Sequence, residues 1–191
     1  MSEIFTTPKC NIIFPKIEEK VSFNGGKAYY SVQIIIDKSE DMKAVKKAVA
    51  DVAKWKWGIP ASKLDRTPIR DGDTIQDKKG KPKAEKYPFY KNRWVITAKS
   101  TTKPRVIGAD KRPLENSEVT QGSECYVSLH AFAWEYMGDK GVSIQLHNIQ
   151  KLSDGDLPET EPTKPEDEFG VVDMPAPESG LELFEENDLG L

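Results

Sequence analysis

ECYVSLHAFAWEYMGDKGVSIQLHNIQKL, residues 124–152, alternates with a period of two on both sides of a Gly138-Asp139-Lys140-Gly141 turn. Such a period marks strands whose two faces meet different surroundings. The first strand sorts Val127, Leu129, Ala131, Ala133 and Met137 to one side, interrupted only by Glu135. Tyr126, Ser128, His130, Phe132, Trp134 and Tyr136 fall on the other. The second strand sends Val142, Ile144 and Leu146 inward and Ser143, Gln145 and His147 outward. Two long strands with one apolar face and one aromatic and polar face predict an antiparallel hairpin walling a β core.

The upstream chain supplies the rest of that core. KCNIIF, residues 9–14, reads as a short strand stopped by Pro15. FNGGKAYYSVQIIID, residues 23–37, carries an Asn24-Gly25-Gly26 turn and a strand from Ala28 to Ile36, with Tyr30, Val32, Ile34 and Ile36 on one face. Tyr29, Ser31 and Gln33 fall on the opposite, wetter face. Ser39 is placed as an N-cap, with Glu40 and Asp41 in the first turn. Met42, Val45, Val49, Val52 and Ala53 then predict an amphipathic helix ending before Gly58. Its last turn, KWKW, puts Trp55 and Trp57 on different sides, so one closes the core and the other is exposed. A polar excursion follows Ile59, and order resumes with RWVITAKS and PRVIGA, residues 93–100 and 104–109. About five strands, one helix and long loops predict a mainly β fold, an OB-fold-like five-stranded antiparallel barrel over residues 1–152.

Charge divides the chain at the same place. Residues 153–191 hold thirteen Asp and Glu against the single Lys164, a balance of −12, while residues 1–152 hold 27 basic and 18 acidic residues, a balance of +9. With five prolines and little to bury, residues 153–191 are expected to form a disordered acidic tail. A basic body carrying an acidic tail points to a polyanion ligand. The sequence shows no secretory leader and no apolar run of roughly 18 residues, so a cytoplasmic location is expected, with no membrane partner. Cys10 and Cys125 are expected to be reduced, buried thiols, and with His130 and His147 they form no zinc-type ligand spacing. No cofactor is implied.

The outward row Tyr126, His130, Phe132, Trp134, Tyr136, with His147 beside it, suits the stacking of unpaired bases, each stack contributing ~1–3 kcal/mol. Positive charge is concentrated in KKGKPKAEKYPFYKNRW, residues 78–94, where Lys79, Lys81, Lys83, Lys86, Lys91 and Arg93 alternate with Tyr87, Phe89 and Tyr90. Lysines neutralise phosphates while neighbouring rings stack, which is the chemistry of a sequence-tolerant groove for a single strand. Arg93, Thr97 and Lys99 share one face of the next strand, with Trp94 on the core side, and Lys103 and Arg105 extend the positive track. A non-enzymatic binder of single-stranded nucleic acid is therefore expected. Two alternatives stand beside it. One is a scaffold or chaperone-like protein whose basic face meets an acidic partner and whose aromatic row forms a homodimer interface. The other is a metal-dependent nuclease using Asp71, Asp73 and Glu85, although the Asp71, Asp73, Asp77 run lacks the ligand series of a calcium loop.

The basic body, the exit GVSIQLHNIQKLSDGD after a tryptophan-bearing strand, and a Pro/Glu/Asp tail closing on DLGL together resemble a family of bacteriophage single-stranded-DNA-binding proteins. The resemblance covers nearly the whole chain and is most specific at residues 141–156. It implies an OB-fold, single-stranded DNA as ligand, and a role in phage replication, recombination or repair. The tail is expected to compete with DNA for the basic groove. Its apolar residues Leu183, Phe184, Leu189 and Leu191, with Asp188 among them, are expected to recruit phage or host replication and recombination proteins.

Overall fold

A computed structural model describes residues 3–22, 25–155 and 157. Asn24 and the acidic tail beyond residue 155, apart from residue 157 and including all five of the proposed recruitment residues, lie outside them. The described chain forms β1 (Ile4–Thr6), β2 (Cys10–Val21), β3 (Tyr29–Asp37), α1 (Lys43–Trp57), β4 (Ile69–Asp71), α2 (Lys83–Lys86), β5 (Arg93–Ser100), β6 (Arg105–Ile107), β7 (Pro113–Leu114), β8 (Glu124–Tyr136) and β9 (Asp139–Ser153). Five of these strands close on one another in the order β8-β2-β3-β5-β9, with β9 returning to β8. This is the expected OB-like barrel, and one of its seams is parallel: Ala98 and Lys99 of β5 lie beside Ile144 and Gln145 of β9. Alternation reads which face a residue takes, whatever the direction of its neighbour, so a parallel seam leaves no mark on the pattern.

The barrel interior is filled by branched aliphatic side chains from every wall. Ile12, Val32, Ile34, Ile36, Ile96, Val127, Leu129, Ile144, Leu146 and Ile149 are all buried in one cluster. Helix α1 lays Val45, Val49 and Val52 against it, each contributing about 1.5–3 kcal/mol by leaving water. The helix starts later than expected. Ser39 is taken up by Asp37, whose Oδ1 accepts from both the Ser39 hydroxyl and its N–H, while Asp41 accepts from the N–H of Lys43. Gly58 ends the helix at φ +69°, its N–H donating to the carbonyl of Lys54. Of the two tryptophans in the last turn, Trp55 is 71% exposed and Trp57 packs on the core, donating through Nε1 to Glu135.

Strand β2 does not stop at Pro15. Ile13 pairs with Gln33 and Lys16 with Ser31, so one extra residue bulges out between them. Pro15 sits in the bulge, where a missing N–H costs no ladder bond, and Phe14 takes φ +49°. The bulge turns the Phe14 ring toward residues 72–92, the excursion that composition presents as loop. That segment folds back over the outer face of β2, β3 and β5 and builds a second small core. Phe89 (4% exposed) and Tyr90 (2%) are buried there against Ile13, Ile35 and Val95, with Phe14 edge-on to Tyr87 and Phe89. The two ends of the excursion are tied by Lys38, whose Nζ lies 2.7 Å from both Asp71 and Asp73, while Asp73 accepts from the N–H of Asn92. These bonds hold the Asp73 carboxyl below, and the Lys38 amine above, its ordinary range. Gly72 is required where the ends meet, since a Cβ there would run into the carbonyl of Tyr90.

Cys10 and Cys125 are direct neighbours across β2 and β8, both buried and unlinked. Burial pushes the Cys10 thiol up to about 12 and raises that of Cys125 as well. Phe89→Ala removes the ring at the centre of the second core. It is expected to cost about 3 kcal/mol in denaturant unfolding and to speed amide exchange across residues 72–92 while β8 and β9 stay protected.

Candidate nucleic-acid interface

Strand β5 offers one edge to two partners. Its first half pairs with β4, Ile69 opposite Ile96 and Asp71 opposite Trp94, and its second half pairs with β9. Where β4 and β9 part, a groove of about 600 Å³ opens on the outside of the barrel. Thr97 and Lys99 of β5 meet Arg66, Pro68 and Arg70 from the β4 side and Ser143 and Gln145 from β9. Tyr29, Phe132 and Trp134 supply aromatic walls. Three cationic side chains line this groove, and no Asp or Glu among the described residues does. A second hollow, bounded by Phe14, Lys16, Ser31 and Gln33, shares Thr97 and Lys99 with it, so the open surface continues across β3 toward the β2 bulge.

The outward side chains form rows across the sheet. Ser31, Lys99, Gln145, His130 and Ile4 are successive partners on β3, β5, β9, β8 and β1. Trp134 is fixed within the groove: its Nε1 donates to Ser143 Oγ at 2.8 Å, and its ring lies on Gly141, where any Cβ would collide with the indole. Residues 65–66 are clipped over the start of β9 by Asp65 N–H to Lys140 O, Lys140 N–H to Asp65 Oδ2 and Val142 N–H to Arg66 O. That clip carries Arg66 to the groove. Arg70 reaches Thr97 Oγ1 with its guanidinium at 3.3 Å. Lys27 and Lys99 both place Nζ 5.9 Å from the Tyr29 ring centre.

The structure gathers the candidate residues unevenly. Phe132, Trp134 and Lys99 meet in the groove, with Phe132 42% exposed. His130, Tyr126 and Arg105 lie on the same outer face further along β8 and its neighbours. Tyr136 is exposed near the hairpin turn, and Met137, read as interior, is 88% exposed in that turn at φ +51°. Lys79, Lys81, Lys86 and Lys91 project from the excursion, Lys83 is half-buried on α2, and Lys103 is exposed beyond β5. Phe89 and Tyr90 do not offer free ring faces, because they form the second core. The Tyr90 hydroxyl donates to Gln33 and burial pushes it up to about 12. Tyr87 is half-buried, stacked on Phe89 with Lys86 Nζ 5.3 Å from its ring centre. Arg93 is engaged by Asn11 at 3.3 Å and Asp37 at 3.8 Å, which gives it a role in holding β2 and β3 rather than an open cation. Trp94 sits at the rim of the core between Lys38 and Lys46, each about 5 Å from its ring centre. Of the acidic run, Asp71 and Asp73 are bound to Lys38, and Asp77 closes a turn by accepting from the N–H groups of Lys79 and Lys81.

The sequence reading does not place Arg66, Arg70, Tyr29 or Gly141 in the site. The arginines lie in RTPIR, whose single Ile69 is too faint a signal for a strand. His130 and His147, both read as outward, lie with ring centres 5.9 Å apart, and β9 bulges at His147. His147 Nε2 is buried without a partner, and desolvation, reinforced by His130, lowers its pKa.

Ser143→Ala and Gly141→Ala both loosen the indole of Trp134. Its N–H resonance is expected to shift and exchange faster in either variant, while those of the other three tryptophans stay put. For His147, the fold favours the neutral ring, so that contribution is intact above the ordinary histidine value of about 6.5 and lost as pH falls through the lower folded value. Thermal melts between pH 7 and 5 should show this decline, and His147→Gln should flatten it.

A family model described as Enterobacter phage Enc34, ssDNA-binding protein, matches residues 4–179. Putative protein p50 of Acyrthosiphon pisum secondary endosymbiont phage 1 is 26% identical over 158 residues, covering 76% of this chain and 80% of that protein. The single-stranded DNA-binding protein from bacteriophage Enc34, solved in complex with ssDNA, shares the fold with a TM-score of 0.64 at 21% identity, over 81% of this chain and 88% of that one. Its C-terminal truncation gives a TM-score of 0.64 at 20% identity, over 81% and 87%. With the family match running across both barrel and groove, this chain belongs to the Enc34 phage ssDNA-binding protein family.

Proposed function

We propose that this protein coats single-stranded DNA with little sequence preference during phage replication, recombination or repair in the host cytoplasm, without catalysing a reaction. One observation carries the reading: the groove at the β4–β9 fork joins Arg66, Arg70 and Lys99 to Tyr29, Phe132 and Trp134 with no carboxylate from the described residues. Cations neutralise phosphates and aromatic faces take any base, so affinity is general and falls with salt. An OB barrel presents its ligand surface at this wall, between the equivalents of its second, third and last strands. The solved Enc34 relative, named for its complex with ssDNA, supports the same ligand class.

The acidic residues of 153–191 extend this reading. Tethered to a body of charge +9, thirteen carboxylates compete with DNA for the groove, and the displaced tail presents Leu183, Phe184, Leu189 and Leu191 to protein partners. Removing residues 158–191 is expected to tighten DNA binding at low salt.

Titration of the full chain with a mixed-sequence single strand, followed by tryptophan quenching at several salt concentrations, tests the reading. Arg70→Ala and Lys99→Ala should each reduce the slope of log K against log salt by about 0.7, and Trp134→Leu should weaken binding about ten-fold at every salt. Absence of binding at low salt overturns the reading in favour of a protein partner for the basic face.

A further inference from the structure

The outward row on β8 continues past the groove. Beyond His130, Ser128 pairs with Asn148 and Tyr126 with Gln150 on β9, and the next strand over places Arg105 beside Asn148. The bulge at His147 makes this continuity possible. Outward positions on β9 are odd before it, Ser143 and Gln145, and even after it, Asn148 and Gln150, while Ile149 returns to the core. Without the bulge, Ile149 would face water and the polar face would end at His147.

We propose that a single strand leaving the groove runs along the β8–β9 ribbon to a second base-stacking subsite at Tyr126, with Arg105 holding the adjoining phosphate. This rests on the groove being a single-strand site and extends its footprint. From Trp134 to Tyr126 the ribbon spans about 27 Å, a distance only a polymeric ligand bridges. Tyr126 is 37% exposed, enough to offer a ring face. Arg105 is exposed, and its row of partners, Asn148, Ser128 and Thr6, holds no acid to neutralise it. The amides of Asn148 and Gln150 give neutral donors and acceptors between the two stacking points. The strand thus follows one ribbon lengthwise, with the phosphates on the β5–β6 side, where Lys99 and Arg105 mark its two ends.

The test uses the full chain and oligothymidylates lengthened two nucleotides at a time from about 4 to about 16, at one fixed salt concentration. Wild type should gain affinity in two stages, first as the groove fills and again as Tyr126 is reached. Tyr126→Leu should keep the short-oligonucleotide affinity and lose about ten-fold on the long ones, with Tyr126→Phe restoring it. Arg105→Ala should lower the salt slope by about 0.7 for long strands alone. Equal binding by Tyr126→Leu and wild type at every length overturns the proposal, as does equal weakening at every length, which marks a folding defect. If wild type binds no oligonucleotide at all, the groove reading falls and takes this proposal with it; binding of short strands without the second stage removes only the Tyr126 subsite.

Discussion

The parallel seam between Ala98–Lys99 and Ile144–Gln145 closes the barrel, and the site depends on its being short. An edge of β5 cannot hydrogen-bond two strands at the same residues, so β4 takes Trp94–Ile96 and β9 takes the residues after them. The fork between the two is unavoidable geometry, and the backbone clip at residues 65–66 spans it. Arg66 and Arg70 stand on one tine, Ser143 and Gln145 on the other, and Thr97 and Lys99 in the crotch. A longer β9 seam would zip the fork shut and leave a smooth barrel wall.

The second core governs how much of that wall remains open. Phe89 and Tyr90 cover Ile35 and Val95, which would otherwise expose aliphatic side chains on a surface meant for water. Past Gln33, which the Tyr90 hydroxyl reaches, the outward residues of β3 and β5 are polar: Ser31, Thr97, Lys99. The excursion and the groove therefore divide one face between burial and recognition. Lys38, bound to Asp71 and Asp73, anchors the excursion at the end of β3 away from the groove.

The barrel was legible in the sequence because closed sheets demand strict alternation, and residues 124–152 keep it almost throughout. Reading failed wherever a single residue was added. The bulge at Phe14–Pro15 made one strand look finished, and the bulge at His147 switched the outward positions of β9 from odd to even, which alternation alone misses. Alternation also cannot say what covers an outward face, which is why Phe89 and Tyr90 read as stacking rings although they are core. The arginines of the groove were hidden for a different reason: β4 is three residues long, and its place is dictated by β5 rather than by its own pattern.

Trp134 lies on Gly141 and is bonded to Ser143, two residues on the facing strand of the same hairpin. Its rotamer is settled as the hairpin forms, so on the proposed function a base arriving in the groove finds the indole already in place. Ordering a side chain on binding ordinarily costs about 0.5–1.5 kcal/mol, and here folding has absorbed that loss. Encounter then needs no rearrangement of this wall, so the residence time of the strand reflects the strength of the stack itself rather than the mobility of the ring.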